Sequence, residues 1–163
     1  MTSPQLLALL AACAPQIDPG TARALIDVES AANPHAIGVV GGALQRQPTR
    51  RTEAVATATA LQAEGWNFSV GLSQINVHNL DRLGLTLPEA FEPCANLTAM
   101  QTILMACYRR ALTGSANTTQ RALRQALSCY YSGNFATGFQ HGYVRKVVLA
   151  SARQSSPSTA NKE

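Results

Sequence analysis

Residues 18–33, D-P-G-T-A-R-A-L-I-D-V-E-S-A-A-N, decide how this chain folds. They read as one helix. Asp18 is a capping residue, and Pro19 suits the first helical position, where no backbone donor is required. Asn33-Pro34 is the expected stop, because proline disfavours helical geometry in the residue before it. Ala22, Leu25, Ile26 and Glu29 recur at spacings of three and four and so share one face. Three of them are apolar and the fourth is a carboxylic acid. Arg23 and Asp27 stand four apart on another face and can pair there, which leaves Glu29 without a local cation. An acid on an inward stripe is costly unless it is partnered or used. Desolvation raises its pKa and keeps it protonated toward neutral pH, as a general acid requires. The competing reading is a helix-edge glutamate that reaches past the core to solvent.

The flanking chain extends the helical pattern. Helices are expected at Ser3–Cys13, Thr52–Glu64, Asn96–Leu112, Thr118–Tyr130 and Gly138–Ala152, with a short one capped by Asn76 and ending near Leu83. His35–Gln47 differs. Ile37, Val39 and Val40, then Gly41-Gly42, then Ala43-Leu44 give the pattern of a small hairpin. Phe68–Asn76 reads as short and irregular. The expected fold class is therefore mostly α (α+β), one domain over residues 1–153 with a small β-hairpin. A polar tail at 154–163, rich in Ser, Pro and Asn, is expected to be disordered.

Composition narrows the function classes. With 163 residues, 46% of them apolar, the chain is long enough for one genuine core. The net charge is only +4 and the arginines are scattered, so no dense basic face for nucleic acid is expected. No stretch is long enough to span a membrane. The four cysteines, Cys13, Cys94, Cys107 and Cys129, lie far apart with no CxxC spacing, which argues against zinc. At least one disulfide in an oxidising compartment is expected; the three possible pairings stay open. Cys13 ends the stripe Leu6, Leu9, Leu10, and Cys107 continues Leu97, Met100, Leu104, so both also read as buried thiols. Leu10-Ala11-Ala12-Cys13 looks like a lipoprotein cleavage box, but no basic residue precedes it and residues 1–4 read better as a helix start. His35, His78 and His141 have no ligand spacing, and no phosphate loop, dinucleotide fingerprint or nucleophile elbow is present. No metal and no cofactor is expected.

Three further stretches carry chemistry. In Val70–Asn76, Gly71 allows close backbone approach, and Ser73, Gln74 and Asn76 offer the hydroxyl and amide groups that suit sugar hydroxyls and N-acetyl groups. The alternative is a polar loop between helices. In Ala126–Asn134, Tyr130 and Tyr131 stand at a helix end before Ser132-Gly133-Asn134; they read either as a stacking face or as core aromatic plus cap. Tyr143 lies on the apolar face of the last helix, where a core tyrosine with a satisfied hydroxyl is the first reading.

In order, V-E-S at 28–30, G-L-S-Q-I-N at 71–76, Y-x-S-G-N at 130–134 and G-Y-V at 142–144 resemble the motifs of lytic transglycosylases with a goose-lysozyme-like SLT domain. C-A-P at 13–15, N-P-x-A-I at 33–37, H-N-L-x-x-L-G-L at 78–85 and F-E-P-C-A-N-L at 91–97 are similar to the subgroup attached to bacterial type IV secretion and conjugation machines. The resemblance covers residues 6 to 149 and implies a lysozyme-like fold. It implies that Glu29 is the single catalytic acid and Ser30 its orienting neighbour. Ser73, Gln74, Asn76, Tyr130 and Tyr143 are implied on the substrate. One departure stands out: the family usually has Asn after the first tyrosine, and here it is Tyr131.

The implied activity is cleavage of the β-1,4 bond between N-acetylmuramic acid and N-acetylglucosamine in peptidoglycan, leaving 1,6-anhydro ends. The expected setting is a periplasmic monomer that opens the wall for a type IV apparatus, its partners being glycan strands and components of that machine. An export signal is not visible in this chain. The alternatives are a lysozyme that uses water as acceptor and a glycan-binding assembly factor with little turnover.

Overall fold

The computed structural model describes residues 1–114 and 118–155. Nine α-helices and three short strands are formed among them: α1 (Ser3–Cys13), α2 (Pro19–Ser30), β1 (Ile37–Val39), α3 (Arg51–Ala63), β2 (Phe68–Val70), β3 (Ile75–Asn76), α4 (Leu80–Leu83), α5 (Leu87–Ala90), α6 (Pro93–Thr113), α7 (Thr119–Ser132), α8 (Thr137–Gln140) and α9 (Tyr143–Ser155). The class is mostly α with a small antiparallel sheet, as the apolar periodicity implied. α9 runs through Ser155, into the stretch expected to be a tail. Residues 156–163 of that expected tail lie outside the described residues.

α2 is the central element. The Asp18 side chain accepts from the Thr21 amide at 2.8 Å, and Pro19 occupies the first turn. Ala22, Leu25 and Ile26 are fully buried, so the stripe that ends in Glu29 does face the core. α2 packs on α9, and α6 packs on α7. The helix stops at Ser30, earlier than Asn33-Pro34 requires. Ala31 and Ala32 both turn to positive φ, at 51° and 59°, and the Ser30 hydroxyl donates across to the Leu72 carbonyl at 2.7 Å. Tertiary contact, not the proline, sets the end of the helix.

The sheet corrects the hairpin expected at His35–Gln47. β1 pairs not with Ala43-Leu44 but with β2, antiparallel, Ile37 opposite Val70 and Val39 opposite Phe68. β2 in turn pairs with β3, so the order is β1-β2-β3. The physical reason is at the other edge of β1. There the Gln47 side chain accepts from the Ile37 amide at 2.8 Å and donates to its carbonyl at 2.9 Å, taking the groups a local partner strand would need. Phe68, Val70 and Ile75 carry the sheet into the core beside Phe91, Leu97 and Met100.

Both disulfides tie α6 to neighbours: Cys13–Cys94 to the end of α1, and Cys107–Cys129 to α7. This settles the open pairing and excludes the buried-thiol reading. Cys13, the last residue of the stretch that looks like a cleavage box, is the last residue of α1, in line with the helix reading. The single helix expected over Gly138–Ala152 is two pieces. Gly142 takes a φ of +73° between α8 and α9, and Gly138 lies so close to Ser128 that a Cβ would meet its Cα at 2.6 Å. This break frees the first residue of α9, Tyr143, to turn back toward α2.

Candidate active site

A groove of about 430 Å³ runs between the sheet and the ends of α2 and α7. Glu29 is on its wall. Val39, Ser69, Gln74, Asn76 and Asn79 line one side, and Tyr130, Tyr131 and His141 the other. Among the described residues lining it, Glu29 is the only carboxylate.

Burial drives the chemistry of Glu29. Desolvation raises its carboxyl from 4.5 to about 7, against a smaller lowering by its hydrogen bond from Tyr143. That bond, from the Tyr143 hydroxyl to Oε1, is 2.5 Å long. Tyr143 has to be the donor. Burial, and after it the negative charge of Glu29, hold its hydroxyl far above the usual phenol range. Oε2 is then the oxygen left for an acidic proton. A group that titrates near neutrality can both give and take a proton at working pH. The Asp27 carboxylate, two residues earlier, is on the outer face of α2, with Arg23 Nε at 4.0 Å and Gln154 Nε2 at 2.8 Å.

The loop from Gly71 to Asn76 is built on Asn96. This residue is 1% exposed. Its Nδ2 donates to the Val70 and Ala90 carbonyls at 3.0 and 2.8 Å. Its Oδ1 accepts from the Ser73 amide at 2.9 Å and the Ser73 hydroxyl at 2.6 Å. Gly71 is obligatory beside it: φ is +78°, and a Cβ would stand 2.3 Å from Asn96 Nδ2. Gln74 is held at a φ of 51°, its Nε2 donating to the Ala36 and Gly71 carbonyls. Among the described residues, the three non-glycine residues at positive φ, Ala31, Ala32 and Gln74, are thus within a few residues of the acid or on the groove wall. Strain of this kind concentrates at functional sites.

The opposite wall is aromatic. Tyr130 donates its hydroxyl to the Ser73 carbonyl at 2.7 Å, bridging α7 to the loop. Its hydroxyl also lies above the usual range, through burial and then the charge of Glu29. Tyr131 stacks on Tyr143 with ring centroids 4.6 Å apart and 19° between planes. Its hydroxyl is 3.2 Å from His141 Nδ1. Ser132-Gly133-Asn134 forms the turn beneath: Asn134 Oδ1 accepts from the Ala136 and Thr137 amides, and its carbonyl from the Ser128 hydroxyl.

The family described as Transglycosylase SLT domain matches residues 7–148. The chain belongs to this family. It is 48% identical over 156 residues to the type IV secretion system protein virB1 of Brucella abortus, a match covering 93% of this chain and 66% of that protein. It is 37% identical over 150 residues to protein virB1 of Agrobacterium fabrum, covering 91% and 60%. Against protein virB1 of Rhizobium radiobacter the figures are 38% over 140 residues, 85% and 57%. The chain thus spans 57% to 66% of the length of these relatives. No solved structure matches it.

Of the residues the SLT resemblance singled out, Glu29, Gln74, Asn76, Tyr130 and Tyr143 converge on the groove or on its acid. Ser30 and Ser73 are not among its lining residues. The Ser30 hydroxyl is engaged by the Leu72 carbonyl, and Ser73 is fully buried against Asn96. Both hold the acid's helix and the loop in place. Three polar wall residues have no site assignment from the sequence: Ser69, Asn79 and His141. His141 has no ligand spacing; its only sequence signal is its place just before the Gly142-Tyr143 pair. Asn96 belongs to the F-E-P-C-A-N-L stretch and to an expected helix start, but nothing in the sequence gives it a role in the site.

Proposed function

We propose that this chain is a peptidoglycan lytic transglycosylase in which Glu29 serves as both acid and base. The observation that carries this reading is one carboxyl, raised to about 7 by burial, on a groove with no second carboxylate among its described lining residues. A two-carboxylate glycosidase needs its partner acid about 5–9.5 Å away.

Protonated Glu29 gives its Oε2 proton to the oxygen between N-acetylmuramic acid and N-acetylglucosamine. The bond from muramoyl C1 to that oxygen breaks, and N-acetylglucosamine leaves with a free 4-hydroxyl. The muramoyl N-acetyl group stabilises the positive centre at C1. Glu29, now a carboxylate held by Tyr143, takes the proton of the same sugar's 6-hydroxyl. O6 closes on C1 to form the 1,6-anhydro ring. Glu29 ends protonated and no water is consumed. Gln74 and Asn76 position the glycan from the sheet side, and Tyr130 from the α7 side.

The relatives named for type IV secretion support a role in opening the wall for such an apparatus, outside the cytoplasm. Two disulfides fit an oxidising compartment. The test is mass spectrometry of purified sacculi after digestion. Anhydro-muramic ends are expected from the native protein, and release about 10²–10⁴-fold slower from Glu29→Gln. Undiminished release by that variant would overturn the assignment. Reducing muramic ends would mark a hydrolase, and sacculus binding without soluble product a glycan binder.

A further inference from the structure

Three tyrosines stand at the groove or behind it, and Tyr131 is the most exposed of them. Tyr143 is 6% exposed, and one face of its ring is covered by Tyr131. Tyr130 is part-buried, with its hydroxyl committed to the Ser73 carbonyl. Tyr131 is 45% exposed. It is also the residue at which this chain departs from the asparagine that its family resemblance leads one to expect. Its exposed ring lines the polar groove wall beside His141.

Tyr131 is not a loose surface side chain. One ring face rests on Tyr143, an edge meets His141 at 5.8 Å between centroids, and the hydroxyl is tied to His141 Nδ1. It is therefore ordered before any ligand arrives, and binding need not cost the entropy of fixing it. His141 also lines the groove, and its second nitrogen, Nε2, makes no hydrogen bond with the described residues. An apolar ring face beside a free ring nitrogen matches a pyranose, which has one face of C–H groups and a rim of hydroxyl and amide groups.

We propose that Tyr131 and His141 form a sugar-binding wall, Tyr131 stacking on an N-acetylhexosamine ring of the glycan next to Glu29 and His141 Nε2 bonding its polar rim. This rests on the reading of the groove as a glycan site. An asparagine at 131 would offer hydrogen bonds but no stacking face. Tyr131 thus moves recognition from the polar substituents toward the sugar ring itself.

The test is calorimetric binding of N-acetylchitohexaose to the Glu29→Gln protein, where no turnover interferes. Adding Tyr131→Ala should weaken binding roughly tenfold, and His141→Ala roughly threefold, while Tyr131→Phe should stay within about twofold. In the active protein, Tyr131→Ala should raise KM on soluble glycan strands and leave kcat within about threefold. A residue acting only through Tyr143 and Glu29 would lower kcat instead. Unchanged binding in Tyr131→Ala, or a loss confined to kcat, overturns this inference and leaves the proposed function standing. If Glu29→Gln alone fails to bind the oligosaccharide, the glycan reading of the groove falls, and this inference with it.

Discussion

The two sides of the groove are rich in groups that could meet a sugar, yet they use them in opposite ways. On the sheet side, Ser73, Gln74 and Asn76 look like ligand binders in sequence. Their bonds go mostly to the protein itself. Ser73 holds Asn96, Gln74 Nε2 holds two carbonyls, and Asn76 holds Asn67 Oδ1 at 2.8 Å and the His78 amide at 3.0 Å. On the α7–α9 side, the residues that look like core are the ones near the acid. Tyr143 bonds the acid, and Tyr131 presents a face to the groove. The amide side is a rigid mould, and the aromatic side is the surface to which we assign the chemistry and the sugar contact. A polar motif residue is as often a scaffold as a ligand, because buried backbone groups must be satisfied before any substrate is.

The mould should break most severely at its hub. Asn96→Ala leaves the Ser73 amide and hydroxyl and the Val70 and Ala90 carbonyls without their partner. We expect a loss of about 3–5 kcal/mol by chemical denaturation, with activity lost as the loop slackens. A loss under about 1 kcal/mol would show that the loop is held by other means.

On the aromatic side, Tyr143→Phe should keep the fold and damage the chemistry. It removes a charge-assisted hydrogen bond, so kcat should fall about 10–100-fold. The bond favours the ionised carboxyl, so its loss should also move the alkaline limb of the pH–rate profile above its native position near 7. A limb that moves to lower pH would contradict the role given to Tyr143.

A smaller effect sharpens the contrast, because here a functional residue weakens the fold. The Glu29 carboxyl titrates higher folded, about 7, than unfolded, 4.5. Between these values the unfolded chain is ionised and the folded one is not. Stability is therefore full below 4.5 and declines as pH rises to about 7. Glu29→Gln escapes that decline. Its thermal midpoint should match the native protein at pH 4 and exceed it by several degrees at pH 8, for roughly 3 kcal/mol. Equal midpoints at both pH values would show an acid that is not desolvated.

Much of this was legible in residues 18–33. Capping by Asp18, the apolar stripe and an acid at its end follow from spacing alone, and α2 is built that way. Motif order then brought Glu29, Gln74, Asn76, Tyr130 and Tyr143 together. What spacing could not give were contacts between distant segments. Gln47 imitates a strand along β1 and diverts it to β2, Asn96 replaces a ladder of backbone bonds with one side chain, and His141 reaches Tyr131 only because Gly142 breaks the final helix. Each depends on a single side chain meeting a remote backbone or ring, and such meetings leave no period in the sequence.

The central claim is that burial keeps one acid near neutrality so that it can give and then recover a proton. Side-chain carboxyl carbon resonances, followed by NMR from pH 3 to 9 in protein labelled at glutamate and assigned by Glu29→Gln, test it without substrate. The account predicts a Glu29 midpoint near 7, rising further in Tyr143→Phe. A midpoint close to 4.5 would contradict it.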